Sequence, residues 1–579
     1  MWQIMVTLIV GLHAAGATGV FLDISDQVGL GPEVLKTTGP IARVCFADVN
    51  SDGWPDVVVD RHRVFLNVPG PSAPIGRRFD EVPANRAGLL PPVPGTTTVF
   101  ADVDNDGHLD AIVAEYVAAK NRAWVDHGRS TGWQRGRGDG TFEDRRPLGT
   151  QPRTTIAIAV ADVNRDGALD LYLGNASATA DSHEGFANDL LLNDGHGSWV
   201  REPLPEDEAE FDEERDAGGR PTYGAMIMAN PLGEGVMILE LGYGRRWNRA
   251  WIQDDSGLWR DVAPGISLDG DGVRHGRYPE WLKERAKEDS RFDRTDEKPF
   301  RANGNTFDCA AGDLDNDGDF DLLFSEITHG WAGESSDRTR LLLNVSDQGD
   351  SRFFVPPGAG WSLDRHHADP QRWNQGDLFC ELADLDQDGR LDVIVSSGDY
   401  PDDQRLRIWL QAPGGGGLVE ATETLGINHD GSQQISLADV DGDGDLDLLV
   451  GQSFNRYPAE KIGERSPRIR LFENRATDGR KSITLRLHSD GKSANRDALG
   501  ARVKTRVGDT MMMRQLVGIG GHAGKQHDFI IHFGLGQAES VDELIVNWPA
   551  QTGSQQKFAN VAAGRYELTQ GGNLLPVGK

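Results

Sequence analysis

Six nine-residue stretches share one acidic frame: DVNSDGWPD (48–56), DVDNDGHLD (102–110), DVNRDGALD (162–170), DLDNDGDFD (313–321), DLDQDGRLD (384–392) and DVDGDGDLD (439–447). Gly stands at position 6 of each, and positions 1, 3, 5 and 9 carry oxygen donors. The donors are Asp48, Asn50, Asp52 and Asp56; Asp102, Asp104, Asp106 and Asp110; Asp162, Asn164, Asp166 and Asp170; Asp313, Asp315, Asp317 and Asp321; Asp384, Asp386, Asp388 and Asp392; and Asp439, Asp441, Asp443 and Asp447. Carboxylates packed this densely repel one another. A like-charged pair about 4 Å apart costs roughly 1 kcal/mol in bulk water and about 4 near a protein surface. A hard cation such as Ca²⁺ removes that cost, so up to six Ca²⁺ are expected. Gly at position 6 permits the tight turn that aims the oxygens inward.

These loops are not EF-hands. Position 12, where an EF-hand needs a bidentate Glu, is Val59, Val113, Leu173, Phe324, Val395 or Val450. The flanks are short β-type runs, such as VCFADV before the first loop and DLLVG after the last. Each loop therefore joins two strands. The residue before it is always small: Ala47, Ala101, Ala161, Gly312, Ala383 or Ala438, as crowded inner strands require.

The loops start at 48, 102, 162, 313, 384 and 439, so one gap, of 151 residues, is about double the others. AMIMANPLGEGVMILELG (225–242) fills it as a repeat without acidic ligands. A largely apolar run follows each loop, for example RVFLN (63–67), LLLN (190–193), IWLQ (408–411) and RLFEN (470–474). An aromatic or Leu comes next: Phe79, Phe142, Trp199, Trp259, Phe353 or Leu418. The seventh copy is missing after Asn474 and stands instead at the start of the chain, FLDISDQVGL with Phe21. The expected fold is all-β: a seven-bladed β-propeller over 20–476, one blade metal-free, closed by the N-terminal strand. Beyond it, ITLRL, ARVKTRV, DFIIHFGLG and ELIVNWP predict a separate small β domain over 477–571, with a flexible tail at 572–579.

The chain of 579 residues carries a net charge of −31, which disfavours nucleic acid and anionic membranes as partners. Six Ca²⁺ would leave about −19. Three cysteines, Cys45, Cys309 and Cys380, make no disulfide framework and read as buried thiols. Residues 1–19 have an apolar core and small residues at 15–17, the pattern of a signal peptide, so a secreted, extracellular or periplasmic protein is expected. No later run is long and apolar enough for a transmembrane helix.

At this point a resemblance emerges. The six loops resemble the FG-GAP/VCBS calcium repeats of integrin α-subunit propellers. LGARVKTRVGD (499–509), HFGLGQAESVDELIVNWP (532–549) and NVAAGRYELT (560–569) resemble the ASPIC/UnbV domain. The whole is similar to the cartilage acidic protein family and its bacterial relatives. That resemblance implies calcium-binding extracellular propellers with adhesion or interaction roles.

No HExxH, CxxC or P-loop pattern is present, and no catalytic residue is assigned. GIGGHA (518–523) matches GxGxxA but has no helix to receive a pyrophosphate. Asn175 and Asn344 begin glycosylation sequons. The leading expectation is a monomeric interaction module whose blade-top loops, stiffened by Ca²⁺, bind an extracellular protein or glycan. The alternative is a polysaccharide lyase or hydrolase working in the central depression. His275, His329, His366 and His367, near Trp281, Trp331, Trp361 and Trp373, would line its site. A purely structural matrix component is a third reading.

Overall fold

In the computed structural model, each acidic loop joins the first two strands of an antiparallel four-stranded sheet. The model describes residues 20–32, 43–91, 97–115, 119–120, 123–124, 130–151, 153–176, 185–205, 219–244, 246–270, 275–296, 304–347, 350–356, 358–365, 374–399, 404–463, 465–475, 479–550 and 554–578. The apolar start at 1–19, most of the acidic insertion and His366, His367 and Trp373 lie outside them.

Around loop 48–56 the strands are Val44–Ala47, Asp56–Val59, Arg63–Pro69 and Arg77–Glu81. The sheet of loop 102–110 holds Thr97–Ala101, Asp110–Ala114, Gly132–Gln134 and Arg146–Pro147. That of loop 162–170 holds Thr155–Ala161, Asp170–Asn175, Asp189–Asn193 and Trp199–Glu202. Thr222–Ala229, Val236–Gly242, Arg249–Gln253 and Trp259–Asp261 form the sheet without an acidic loop. Loop 313–321 sits between Thr306–Gly312 and Asp321–His329, followed by Arg340–Asp347 and Asp350–Phe354. Loop 384–392 sits between Asn374–Ala383 and Asp392–Asp399, followed by Leu406–Gln411 and Leu418–Glu420. The last two sheets join where Ile327 and His329 pair with Gly376 and Asn374. Ser432–Ala438, Asp447–Gln452 and Arg470–Asn474 form the final sheet. Its fourth strand is Phe21–Asp23, Phe21 opposite Asn474, as the displaced repeat at the start of the chain required.

The small residue before each loop lies opposite the ninth-position Asp on the ladder: Ala47 with Asp56, Ala101 with Asp110, Gly312 with Asp321, Ala383 with Asp392. The neighbouring sheet explains the size limit at one of them. A Cβ on Gly312 would stand 2.5 Å from Cδ1 of Leu391. Burial falls across each sheet. First strands such as Val44–Ala47 and Thr97–Ala101 are wholly buried, whereas Arg77–Glu81 and Trp199–Glu202 are mostly exposed. The first strands are therefore the inner ones, buried on both faces, and the polar side chains they carry, such as Asp308 and Gln434, are buried with them.

The C-terminal region is two further sheets. Lys481–His488 pairs with Ile530–Gly536 and, in parallel, with Gly564–Thr569, whose other edge takes Leu574–Pro576. The segment expected as a flexible tail is thus strand where Tyr566 and Leu568 hold it. Arg502–Val507, Thr510–Gln515, Ser540–Asn547 and Gln555–Ala562 make the other sheet.

Between these sheets the chain sends out a hairpin, Ile519–His522 and Lys525–Gln526, and this is the GxGxxA stretch. It pairs with an inner strand, His522 opposite Gly224 and Gly521 opposite Ala225. Gln526 exchanges two hydrogen bonds with the backbone of Phe100, at 2.8 and 2.9 Å. Gln434 Nε2 donates to the Gly524 carbonyl at 3.2 Å. The hairpin runs along the first strands of all the sheets above. Its glycines serve close approach: Gly521 has φ +74°, and a Cβ there would stand 1.8 Å from Asp308 Oδ1.

Gly521→Ala is therefore expected to cost about 1–3 kcal/mol of backbone strain and to displace Asp308, lowering the melting temperature and opening the hairpin to protease. Gly536→Ala, also at positive φ but facing open space, is the control: it keeps the hairpin protected in limited proteolysis.

Candidate metal centres

The first Asp of each loop is held by the loop's own backbone. Asp102 Oδ1 accepts from Asp106 N at 3.0 Å and Oδ2 from Gly107 N at 2.8 Å. Asp48, Asp162 and Asp384 repeat the pair, while Asp313 and Asp439 keep one such bond each, from Gly318 and Gly442. The fifth-position Asp accepts from the seventh-position N–H in all six loops. The turn needs positive φ at position 4 as well as 6: Ser51, Asn105, Arg165, Asn316 and Gln387 lie at φ 55–60°, and Gly442 at 80°. Asn at two of these places is the sequence trace of that demand.

The ninth-position Asp is a strut as well as a donor. One oxygen accepts the N–H of position 2 and the other accepts an N–H from the third strand. For Asp447 these are Val440 at 3.0 Å and Asn474 at 2.8 Å. Asp56, Asp170, Asp321 and Asp392 do the same, and Asp110 takes its second N–H from Gly136, just past the third strand. In four loops the third-strand residue carries a side-chain amide that crosses to the preceding sheet. Asn67 donates to the Val440 carbonyl at 3.0 Å, Asn193 to Val103 at 2.6 Å, Gln411 to Leu314 at 2.9 Å and Asn474 to Leu385 at 2.8 Å. Each accepting carbonyl belongs to position 2 of a neighbouring acidic loop, so the amides stitch loop to loop. By composition the runs ending in these residues are apolar strands. The Asn or Gln that closes them was the available signal.

The carboxylates converge. In Asp102/Asp104/Asp110, Asp313/Asp315/Asp321, Asp384/Asp386/Asp392 and Asp439/Asp441/Asp447, one oxygen from each residue lies within 4.8 Å of the others. In loops 48–56 and 162–170 the third position is Asn50 or Asn164, whose amide donates to Asp52 or Asp166 at 3.0 and 2.9 Å. Buried Asp104 Oδ1 and Asp386 Oδ1 have no hydrogen-bond partner. An unsatisfied anionic oxygen inside such a cluster fits a hard cation, and the all-oxygen donor set fits Ca²⁺. The repeat at 225–242 differs. Asn230 accepts Leu232 N–H, and its amide donates to the Glu234 carbonyl at 3.0 Å, which closes the turn by itself.

Burial drives the carboxyls upward. It carries Asp110, Asp170 and Asp321 to about 8 and Asp162, Asp384 and Asp439 to about 7. Asp102 also reaches about 8, from burial and then from the adjacent Asp497 carboxylate. Without a cation the folded loops therefore hold protons near neutrality.

The C-terminal region lies on the acidic loops. Asp313 Oδ2 accepts Met513 N–H and Asp384 Oδ2 accepts Gly534 N–H, both at 2.9 Å. Arg480 pairs with Asp386 at 2.9 Å and Arg565 approaches Asp439 at 3.4 Å. Lys504 donates to the Gly318 carbonyl and Arg496 to that of Asn105. These loops are thus an internal interface. The expectation that they present a partner surface is corrected by the charged and N–H groups the C-terminal region brings to their oxygens.

Beside the hairpin, buried Lys525 pairs with Asp308 and Glu381, each at 3.0 Å, and His527 meets Glu381 at 2.6 Å. Burial opposes the Lys525 charge, yet the two carboxylates outweigh it and raise its pKa. Burial likewise opposes Glu381 ionisation, but Lys525 and His527 bring it down to about 2. Of the His/Trp group, His329 stacks on Trp331 at 5.2 Å and His275 Nδ1 accepts Arg277 N–H. The sequon residues Asn175 and Asn344 are buried, so neither side chain is presented to solvent.

A family profile described as FG-GAP-like repeat matches residues 102–173 and 384–450. A second, ASPIC and UnbV, matches residues 491–574. The chain carries FG-GAP-like repeats and a C-terminal ASPIC/UnbV domain. Among curated proteins no relative matches. Among solved structures, the chain is similar to an Agrocybe aegerita lectin whose description is specific recognition of non-reducing terminal N-acetylglucosamine. Identity is 14%, coverage 66% of this chain and 79% of that one, and the TM-score 0.37. A functionally unknown protein from Desulfotomaculum acetoxidans matches at 8% identity, covering 62% and 78%, TM-score 0.29. CoXyl43, a GH43 β-xylosidase/α-arabinofuranosidase from a compost microbial metagenome, matches at 12%, covering 56% and 92%, TM-score 0.26. Likenesses this distant carry no functional argument. The ASPIC/UnbV domain is the part that covers the FG-GAP loops.

Two variants separate ligand from strut. Asp441→Ala is expected to lower the melting temperature in calcium and to change little in chelator. Asp447→Ala strands two buried N–H groups, at about 1–3 kcal/mol each, and lowers it in both; thermal melts with and without chelator distinguish them. The pH dependence has a definite sign. These folded-state pKa values lie above the unfolded value of about 4, so the cation-free fold binds extra protons and loses stability as pH rises through about 6 to 8. A calcium ion bound there would take the protons' place. The chelated protein should lose melting temperature across that window while the calcium-loaded protein does not, and calcium binding at neutral pH should release protons, read by calorimetry in buffers of different ionisation heat.

Proposed function

We propose that this chain is a secreted, calcium-stabilised interaction module: a seven-bladed propeller over 20–476 that takes up to six Ca²⁺, clamped on its metal-loop side by the ASPIC/UnbV-like domain over 477–571. The observation that carries the calcium reading is the unpartnered, buried oxygen of Asp104 and Asp386 inside converging carboxylate clusters. The seven-blade count is supported by the four-stranded sheets described above and by the single hairpin along all their inner strands. The apolar start of the chain and its need for calcium support an extracellular or periplasmic place.

Strand direction then supports one end of the sheets as the partner's place. Acidic loops lie where first strands end and second strands begin. Connections from second to third strands, and from fourth strands to the next sheet, lie at the opposite end. That end carries the long insertions, among them the helix Glu280–Ala286, and it is where we place an extracellular protein or glycan. The hairpin along the inner strands counts against a polysaccharide lyase or hydrolase working in a central depression.

Calcium titration of the full chain with ion counting tests the reading. Up to six ions should bind, each filled site adding about 2.7 kcal/mol at hundredfold excess over Kd. A chain that binds no calcium and melts alike in calcium and chelator would falsify it.

A further inference from the structure

We propose that a cleft on the insertion side binds a short, uncharged oligosaccharide, with Trp281 and Trp361 as stacking platforms. The proposal rests on the interaction-module reading and names its ligand class. The cleft lies between the helix Glu280–Ala286, the turn after Asp321–His329 and the segment that follows Asp350–Phe354. Its volume is about 670 Å³, within the roughly 300–1,000 Å³ of small-ligand sites.

The two indoles come from different elements and are anchored differently. Trp281 packs against the small cluster of Tyr278, Leu282 and Ala332. Trp361 packs against the core that includes Leu363. Both remain half-buried and line the same cleft. Each thus has one side fixed by the protein and another turned to the cavity, which is what stacking on the apolar C–H face of a pyranose requires. An ion pair lines the same cleft, Arg338 with Asp364 at 3.0 Å, 43% and 54% exposed. It presents guanidinium donors and carboxylate acceptors together, suited to sugar hydroxyls.

Charge selects among ligands. Arg338 is balanced by Asp364, and Arg340, which also lines the cleft, by Asp337 at 3.6 Å. The exposed Glu334 adds a further carboxylate to the lining, so no positive excess remains there to recruit an acidic polymer, and the chain's net charge of −31 repels acidic glycans. The exposed side chain of Val355 on the wall adds apolar surface without a hydrogen-bond demand.

The test is calorimetric titration of the calcium-loaded full chain with cello-, xylo-, manno-, malto- and chito-hexaoses, a galacturonate oligomer serving as the acidic control. One neutral series should bind. Trp281→Ala and Trp361→Ala should each weaken it about tenfold or more, and Arg338→Ala should weaken it while leaving the melting temperature within a few degrees of wild type. Should a Trp variant fail to fold, Asp364→Asn provides the same readout without touching the core. Neutral binding untouched by these changes would move the site elsewhere and leave the module reading standing. Binding of only the acidic oligomer, or no oligosaccharide binding while Trp281→Ala abolishes capture of a protein partner, would overturn the ligand class. Failure of the calcium count would instead sink the module reading itself.

Discussion

The last aspartate of each acidic loop holds two N–H groups at once, one from the loop and one from the third strand of its own sheet or just past it. For Asp447 the donors are Val440 and Asn474, and the amide of Asn474 reaches on to the Leu385 carbonyl of another loop. Removing that carboxylate from water is costly, and nearby arginines such as Arg135 and Arg480 pair with other members of the clusters. The structure accepts the cost because the same oxygens fix the turn, the sheet and its neighbour. A divalent ion held there would resolve the remaining repulsion, since it neutralises charge where backbone N–H groups only polarise it. Loop, sheet order and cation demand are therefore one arrangement seen at three scales.

That arrangement has two ends with different fates. At one, the acidic loops receive backbone N–H groups of Met513 and Gly534 and side chains such as Arg480, so oxygens of Asp313, Asp384 and Asp386 are already engaged by the chain itself. The hydrophobic core runs on without a break: Val49, Val103 and Leu109 of the loops share a cluster with Ile483, Leu485, Phe533 and Val546. The hairpin extends this contact inward, where Lys525 is neutralised by Asp308 and Glu381. A charge buried that deeply persists only with its partners in place, so the hairpin and the inner strands specify each other. At the other end the connections are long, irregular and rich in aromatic residues, which is where a surface can vary without disturbing the loops.

Much of this could be read from the chain alone. The six frames were legible because every ligand of a loop lies within nine residues, so the chemistry is written locally. The sheets were legible because apolar runs recur at a steady spacing around each loop, and the displaced strand at Phe21 was legible because one repeat lacked its ending. The positive φ at position 4, the amide clamps of Asn67 and Gln411 and the strand at Leu574–Pro576 were not. Each depends on a partner whose identity is set by how neighbouring segments meet.

By itself, then, the sequence determined the loop chemistry and the all-β repeat, because both follow from short-range spacing and the period of strands. Only the tertiary structure decided that GIGGHA is a hairpin lodged among inner strands and that the acidic face is covered. It also decided that Trp281 and Trp361 share a cleft. Those facts join residues far apart along the chain, such as Lys525 with Asp308, and no local pattern records which distant surfaces will find each other when apolar area and buried charge are satisfied together.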